Sequence, residues 1–151
     1  MSDLTEFYQE LILDHNRSPR NKRPLDDADR KAEGYNPLCG DRVTVFLKLD
    51  GDRVKEVTFQ GSGCAISTAS ASLMTESLEG KTLDEAKRLF ARFHGLIMGE
   101  PVETGEGPDL GKLEVFSGVC QYPARVKCAT LAWHTVNAAL ANGGEDVVST
   151  E

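Results

Sequence analysis

The sequence predicts an α+β fold: a small antiparallel sheet of about three strands with helices packed on one face. Three observations carry this prediction. Apolar residues alternate with period two only in the early part of the chain, over residues 42–60. Helical periodicity lies before that stretch and dominates after it. No internal repeat and no second block of core-forming residues occur in the 151 residues, a length that suits one domain. The expected division is a single domain over residues 1–142 and a disordered tail over 143–151.

Each element has its own signal. Leu4, Tyr8, Leu11 and Ile12 fall at helical spacing with Phe7 beside them and Asp3 placed to cap the start, which predicts an amphipathic helix over residues 3–15. Pro19 and Pro24 then disfavour regular structure in a polar loop running to about residue 33, with a third strand expected near 31–36. Val43, Val45, Leu47 and Leu49 alternate with Thr44, Phe46 and Lys48. Asp50-Gly51-Asp52 makes the turn, and Val57 and Phe59 return, giving a hairpin over 42–60. After Gly61-Ser62-Gly63, a helix rich in small residues runs from Cys64 to about Glu79, with Ile66, Ala69, Leu73 and Ser77 on one face. Leu83, Ala86, Phe90, Phe93 and Ile97 mark a further helix over about 83–98. A loop rich in glycine and proline follows over 99–111, then a short segment near 110–116. Pro123 opens a last helix whose stripe is Val126, Ala129, Trp133, Val136 and Leu140, ended by Asn142-Gly143-Gly144.

Composition narrows the function classes. Lys+Arg number 17 against 24 Asp+Glu, a formal net charge of −7 with no basic run, which argues against an electrostatic grip on nucleic acid or on an anionic membrane surface. No apolar stretch approaches the ~18 residues of a membrane span, and the acidic N-terminus is unlike a signal peptide. The expected location is the cytoplasm. In that reducing compartment Cys39, Cys64, Cys120 and Cys128 are read as metal ligands, reactive thiols or core residues rather than disulfides.

Cys39 sits in a loop entering the first hairpin strand, with Asp41 two residues on, so that in an extended chain the two side chains project to the same side as a chelating pair. Cys64 stands at a helix start, where the positive end of the dipole and unpaired N–H groups favour a thiolate. Cys128 lies roughly 100° from the centre of its helix's apolar stripe, a border position that can face a shallow site. Three thiolates and one carboxylate complete a tetrahedral Zn²⁺ shell near the surface, its net negative charge open to compensation by Arg42, Arg125 or Lys127. Spacing alone also admits Cys64 and Cys128 as plain core thiols, and Cys39-Gly40-Asp41 as a strand-entry turn. Cys120 stands in a different turn setting and is left out of the site. His134, about 240° round the helix from Cys128, cannot share its face, and His15, His94 and His134 are read as packed or surface histidines.

Three blocks, in order, resemble the motifs of the IscU/NifU-N superfamily: Asn36-Pro-Leu-Cys39-Gly-Asp41-Arg42, Gln60-Gly-Ser-Gly-Cys64-Ala-Ile-Ser-Thr-Ala-Ser-Ala-Ser72, and Pro123-Ala-Arg-Val-Lys127-Cys128-Ala. The opening segment Asp14-His-Asn-Arg-Ser-Pro-Arg-Asn21 is also similar, so the resemblance covers nearly the whole chain. It implies a two-layer sandwich of the IscU/SufE kind. Lys127, where the scaffold branch has histidine, and an inserted helix-and-loop region around 80–105 look like the zinc-dependent sulfurtransferase branch, SufU. The resemblance implies that Cys39, Asp41, Cys64 and Cys128 bind zinc. It further implies that Cys39 accepts persulfide sulfur from a SufS-type cysteine desulfurase, a desulfurase histidine displacing Cys39 from the metal, and passes the sulfur to other cluster-assembly proteins. Two alternatives remain: an IscU-type scaffold building a [2Fe–2S] cluster on the same residues, and a structural zinc module that recruits partners.

Overall fold

The structure is a computed structural model and describes residues 3–36, 40–98, 113, 116, 123–142 and 147–149. In chain order the elements are α1 (Asp3–Arg17), β1 (Arg30–Asn36), β2 (Asp41–Asp50), β3 (Arg53–Ser62), α2 (Ala65–Leu78), α3 (Leu83–Ile97), α4 (Pro123–Asn142) and β4 (Val147–Ser149). The sheet order is β3-β2-β1-β4. The three expected strands pair antiparallel, so the α+β prediction and its sheet are met. The tail is a correction: Val147–Ser149, expected to be disordered, pair parallel to Glu33–Tyr35 along the open edge of β1, where β-branched valines suit an extended chain. The expected loop 99–111, Cys120 and tail residues 143–146 lie outside the described residues.

Alternation along β2 decides which face is covered. Val43, Val45 and Leu47 turn inward with Val57 and Phe59 of β3 and Ala32 of β1, and all are buried. α4 lies over β1 and β2, α2 over β3, and the two helices pack on each other. α1 packs on the far side of α2, and α3 against α4. Close approach of α4 to the sheet depends on Gly34: a Cβ there would collide with the Thr135 hydroxyl and come within 3.1 Å of Leu131. The opposite face is partly screened by the segment before β1. Arg23 pairs with Glu56 and Lys48 with Asp27 on that face, where Thr58 is buried, while Asn21 accepts the Phe59 N–H along the free edge of β3.

Two expected helix faces shift. On α2 the expected face is Ile66, Ala69, Leu73 and Ser77; of these Ala69 and Leu73 are buried and Ile66 and Ser77 half-buried, while Ser67, Ser70, Ser72 and Thr75 are buried as well. The reason is that α2 is covered on several sides, by α1, α4 and β3, so its small polar residues lie in helix–helix contacts. Ser70 donates to the Ala129 carbonyl of α4, and His15 of α1 bonds Ser72 at 2.7 Å. In α3 the inner positions are Ala86, Leu89, Phe93 and Ile97. Phe90, expected among them, is half-buried and stacks on Trp133 at 6.4 Å. A capping box between Thr82 and Glu85 fixes the start of α3.

Candidate metal centre

The helix-facing layer of the sheet runs out at one end. Asn36, the last residue of β1, pairs with Asp41, the first of β2, and the two continue the inward series Ala32–Gly34–Asn36 and Val45–Val43–Asp41. Both polar residues are buried there, Asp41 at 1% exposure. Two helix starts close over them. Cys64 is the N-cap of α2, with extended backbone at φ −72° and ψ 171°, and its Sγ accepts from the Ser67 N–H at 3.4 Å. Cys128 enters from the second turn of α4.

The donor atoms of Asp41, Cys64 and Cys128 lie within 4.8 Å of one another, and among the described residues this is where three such groups converge. Hydrogen bonds orient the donors. Asp41 Oδ1 accepts the backbone N–H of Cys64 at 2.9 Å, and Oδ2 accepts from Asn36 Nδ2 at 3.2 Å. The same Asn36 amide donates to Cys128 Sγ at 3.6 Å. Gly63 makes room for the carboxylate: a Cβ at this position would stand 2.7 Å from Asp41 Oδ1.

This donor set fits a zinc ion. Two soft sulfurs and one carboxylate are the mixture that zinc accepts, whereas Mg²⁺ and Ca²⁺ call for oxygen alone. Zinc bond lengths in a tetrahedron set donor atoms about 3.5–3.8 Å apart, a modest contraction from the spacing observed. A buried carboxylate beside two thiols also calls for a compensating positive charge.

Exposure differs from the expected shallow site. Cys128, predicted at a border, is buried at 3%, because β1 and Asn36 cover that side of α4. Cys64 is exposed, so solvent reaches the cluster at the α2 end. Arg42 does not offset the site as expected: alternation turns it to the other face, where its guanidinium lies 4.9 Å from the Tyr35 ring centre. Cys39, the expected fourth ligand, and Cys120 lie outside the described residues. The histidines stand elsewhere. His15 is buried between α1 and α2, with Nε2 3.6 Å from Glu76, while His94 and His134 face each other across α3 and α4 at 5.9 Å. Asn36 is the residue that the sequence reading missed. Its signal was the register, since it falls on the inward face of β1 opposite Asp41.

The NifU-like N-terminal domain family matches residues 7–142. The chain belongs to this family. Among its relatives, the zinc-dependent sulfurtransferase SufU of Bacillus subtilis is 41% identical over 140 residues, covering 93% of each chain. An iron–sulfur cluster assembly scaffold protein IscU of Thermotoga maritima is 43% identical over 134 residues, covering 89% of this chain and 92% of the relative. In structure, the fold matches a crystal structure of FiSufU from Fervidobacterium islandicum, described as an iron–sulfur cluster assembly scaffold for the SUF system. That match has a TM-score of 0.81 and 37% identity over 87% of this chain and 94% of the other. Members of the NifU-like family named as sulfurtransferase and as scaffold are thus about equally similar to this chain. Among the described residues no helix is long and apolar enough to cross a membrane.

Proposed function

We propose that this protein is a zinc-dependent sulfurtransferase of iron–sulfur cluster assembly, which takes persulfide sulfur from a SufS-type cysteine desulfurase onto Cys39. Its zinc ligands are Cys39, Asp41, Cys64 and Cys128. The observation that carries the reading is the convergence of Asp41, Cys64 and Cys128 within 4.8 Å at the end of the sheet. Cys39 precedes Asp41 by two residues, so covalent continuity keeps its Cα within about 7.6 Å of the Asp41 Cα, in reach of the same ion. Lys127 beside Cys128, where the scaffold branch carries histidine, favours sulfur transfer over cluster building.

The residues divide the work. Asp41 and Cys128, both buried, form the fixed wall of the site, and Cys64 is anchored as a helix cap. Cys39 belongs to a connection between two strands, so its thiolate can leave the site without unwinding a helix. Bound zinc supplies a positive charge that holds the ligand thiols as thiolates while lowering their nucleophilicity. In the transfer, the Cys39 thiolate attacks the outer sulfur of the desulfurase persulfide. The S–S bond of that persulfide breaks, a new one forms on Cys39, and the electron pair stays with the desulfurase thiolate, so no external oxidant or reductant is required. A desulfurase histidine that takes the place of Cys39 on the metal would couple release to docking. The cytoplasm, being reducing, keeps such thiols available, and other cluster-assembly proteins receive the sulfur.

The test is alanine release by a SufS-type desulfurase with cysteine as substrate, with and without the zinc-loaded protein. Stimulation that disappears when zinc is removed supports the reading; no stimulation overturns it. The scaffold reading rests on the IscU-named relatives, and it predicts instead a visible-absorbing [2Fe–2S] species with stoichiometric iron after reconstitution.

A further inference from the structure

We propose that Asn36 is a positioning residue for the metal centre: its single side-chain amide nitrogen ties two ligands from different elements, Asp41 of β2 and Cys128 of α4, into one arrangement. The inference rests on the zinc-site reading above. Asn36 Nδ2 carries two hydrogens, and two acceptors lie in reach, Asp41 Oδ2 at 3.2 Å and Cys128 Sγ at 3.6 Å. Asn36 is fully buried, so water does not substitute for either bond. Its backbone serves the same end, the Asn36 carbonyl accepting the Gly40 N–H at 2.8 Å and thereby joining the two ends of the connection that contains Cys39.

Chemistry makes an amide the suitable group. The cluster around it consists of a carboxylate and thiolates, all acceptors when ionised, so a donor that carries no charge orients them without displacing the ion. An N–H bond to a thiolate draws electron density from sulfur and stops the side chain from rotating away. The Asn36 N–H on Oδ2 and the Cys64 N–H on Oδ1 together fix the plane of the Asp41 carboxylate, from which it would offer an oxygen to the ion. Asn36→Asp keeps the size but turns the donor into another acceptor and adds negative charge among the ligands. Asn36→Ser keeps one short donor and adds no charge.

Zinc affinity is measured by chelator competition for the wild type, N36D and N36S, with thermal unfolding of each metal-free form and the absorption spectrum of each cobalt-substituted form. The expected result is zinc affinity lower by about 10–100-fold in N36D and by less in N36S, with cobalt–thiolate bands shifted or weakened in both. Both metal-free variants are expected to unfold cooperatively. N36D binding zinc as tightly as the wild type with an unchanged cobalt spectrum overturns the inference. So does a fall in metal-free stability shared by both variants with zinc affinity intact, which is the mark of a merely structural role. If N36D does not fold, unchanged affinity and spectrum in N36S alone overturn it. Failure of the wild type itself to bind zinc removes the zinc-site reading, and with it this inference; retention of zinc by wild type and variants alike removes the inference only.

Discussion

The backbone N–H of Cys64 donates to Asp41 Oδ1 at 2.9 Å, joining the start of helix α2 to the first residue of strand β2. Asp41 therefore has two tasks: it holds the N–H of the residue that caps α2 and supplies a carboxylate to the candidate metal centre. These tasks separate in two variants. Asp41→Asn retains an oxygen for the Cys64 N–H but lacks the charge. It is expected to fold while losing at least about tenfold in zinc affinity, since a ligand should matter no less than its supporting shell. Asp41→Ala loses both and is expected to unfold more readily by about 1–2 kcal/mol as well. Chelator competition and denaturant unfolding of the metal-free forms check the pair; equal zinc affinity in wild type and D41N removes Asp41 from the ligand set.

Gly63 offers a test that touches no ligand. Its backbone lies outside the left-handed region, so alanine there strains only the space, with its Cβ 2.7 Å from Asp41 Oδ1 and 3.2 Å from the Asp41 Cβ. Gly63→Ala is expected to push the carboxylate out of place, lowering zinc affinity and costing about 1–3 kcal/mol of stability. Gly80→Ala is the control: φ is +85°, nothing lies within 4 Å of the added Cβ, and the site is at the other end of α2. It should destabilise the fold by about 1 kcal/mol and leave zinc affinity unchanged. Loss of zinc in both variants equally would mean that general destabilisation, not crowding of Asp41, governs the site.

Much of this arrangement is legible in the sequence because it depends on local rules. The hairpin follows from the alternation of Val43, Val45 and Leu47, and the placement of Cys64 at a helix start follows from the Gly-Ser-Gly turn before it. What the sequence does not display is long-range. Asn36 stands only as the end of the strand expected near 31–36, and its role depends on the register Asn36↔Asp41 and on α4 lying over β1. The burial of Cys128 depends on the same contact. The inward turn of Ser70, Ser72 and Thr75 depends on α1 and α4 enclosing α2, which helical periodicity cannot reveal. A strand of three residues such as β4 carries too little pattern to be seen before its pairing edge is known.

His134 gives the fold a pH dependence of stated sign. Burial, with a smaller contribution from the neighbouring His94, holds its pKa below the ordinary histidine value of 6.5. Above about pH 6.5 the ring is neutral in both folded and unfolded chains, and stability is unaffected by it. As pH falls below that value the unfolded chain takes up the proton first, so stability declines until the pH passes the lowered folded value. His134→Phe, which keeps a ring to meet Phe90, is expected to reduce the loss of Tm between about pH 8 and about pH 5. An identical pH profile for wild type and variant would show that His134 does not carry this dependence.

The sulfur acceptor is the sharpest question, because the structure offers a rival to Cys39. Cys64 is exposed and stands at the start of α2, where an incoming persulfide can reach it. Cys64 is nevertheless the N-cap of that helix, with Sγ accepting the Ser67 N–H, so leaving the site would uncap α2 at about 1 kcal/mol. Cys39 falls in sequence between Asn36, the end of β1, and Asp41, the start of β2. Incubation with a SufS-type desulfurase and cysteine is therefore expected to add the mass of one sulfur atom to the peptide containing Cys39. Cys39→Ser should abolish stimulation of alanine release while the metal-free protein still unfolds cooperatively. Cys64→Ser, whose hydroxyl preserves the cap, should weaken zinc retention yet leave Cys39 able to accept sulfur. Sulfur recovered on Cys64 in the wild type, or full stimulation by C39S, would transfer the acceptor role to the helix cap and overturn the assignment of Cys39 as the acceptor.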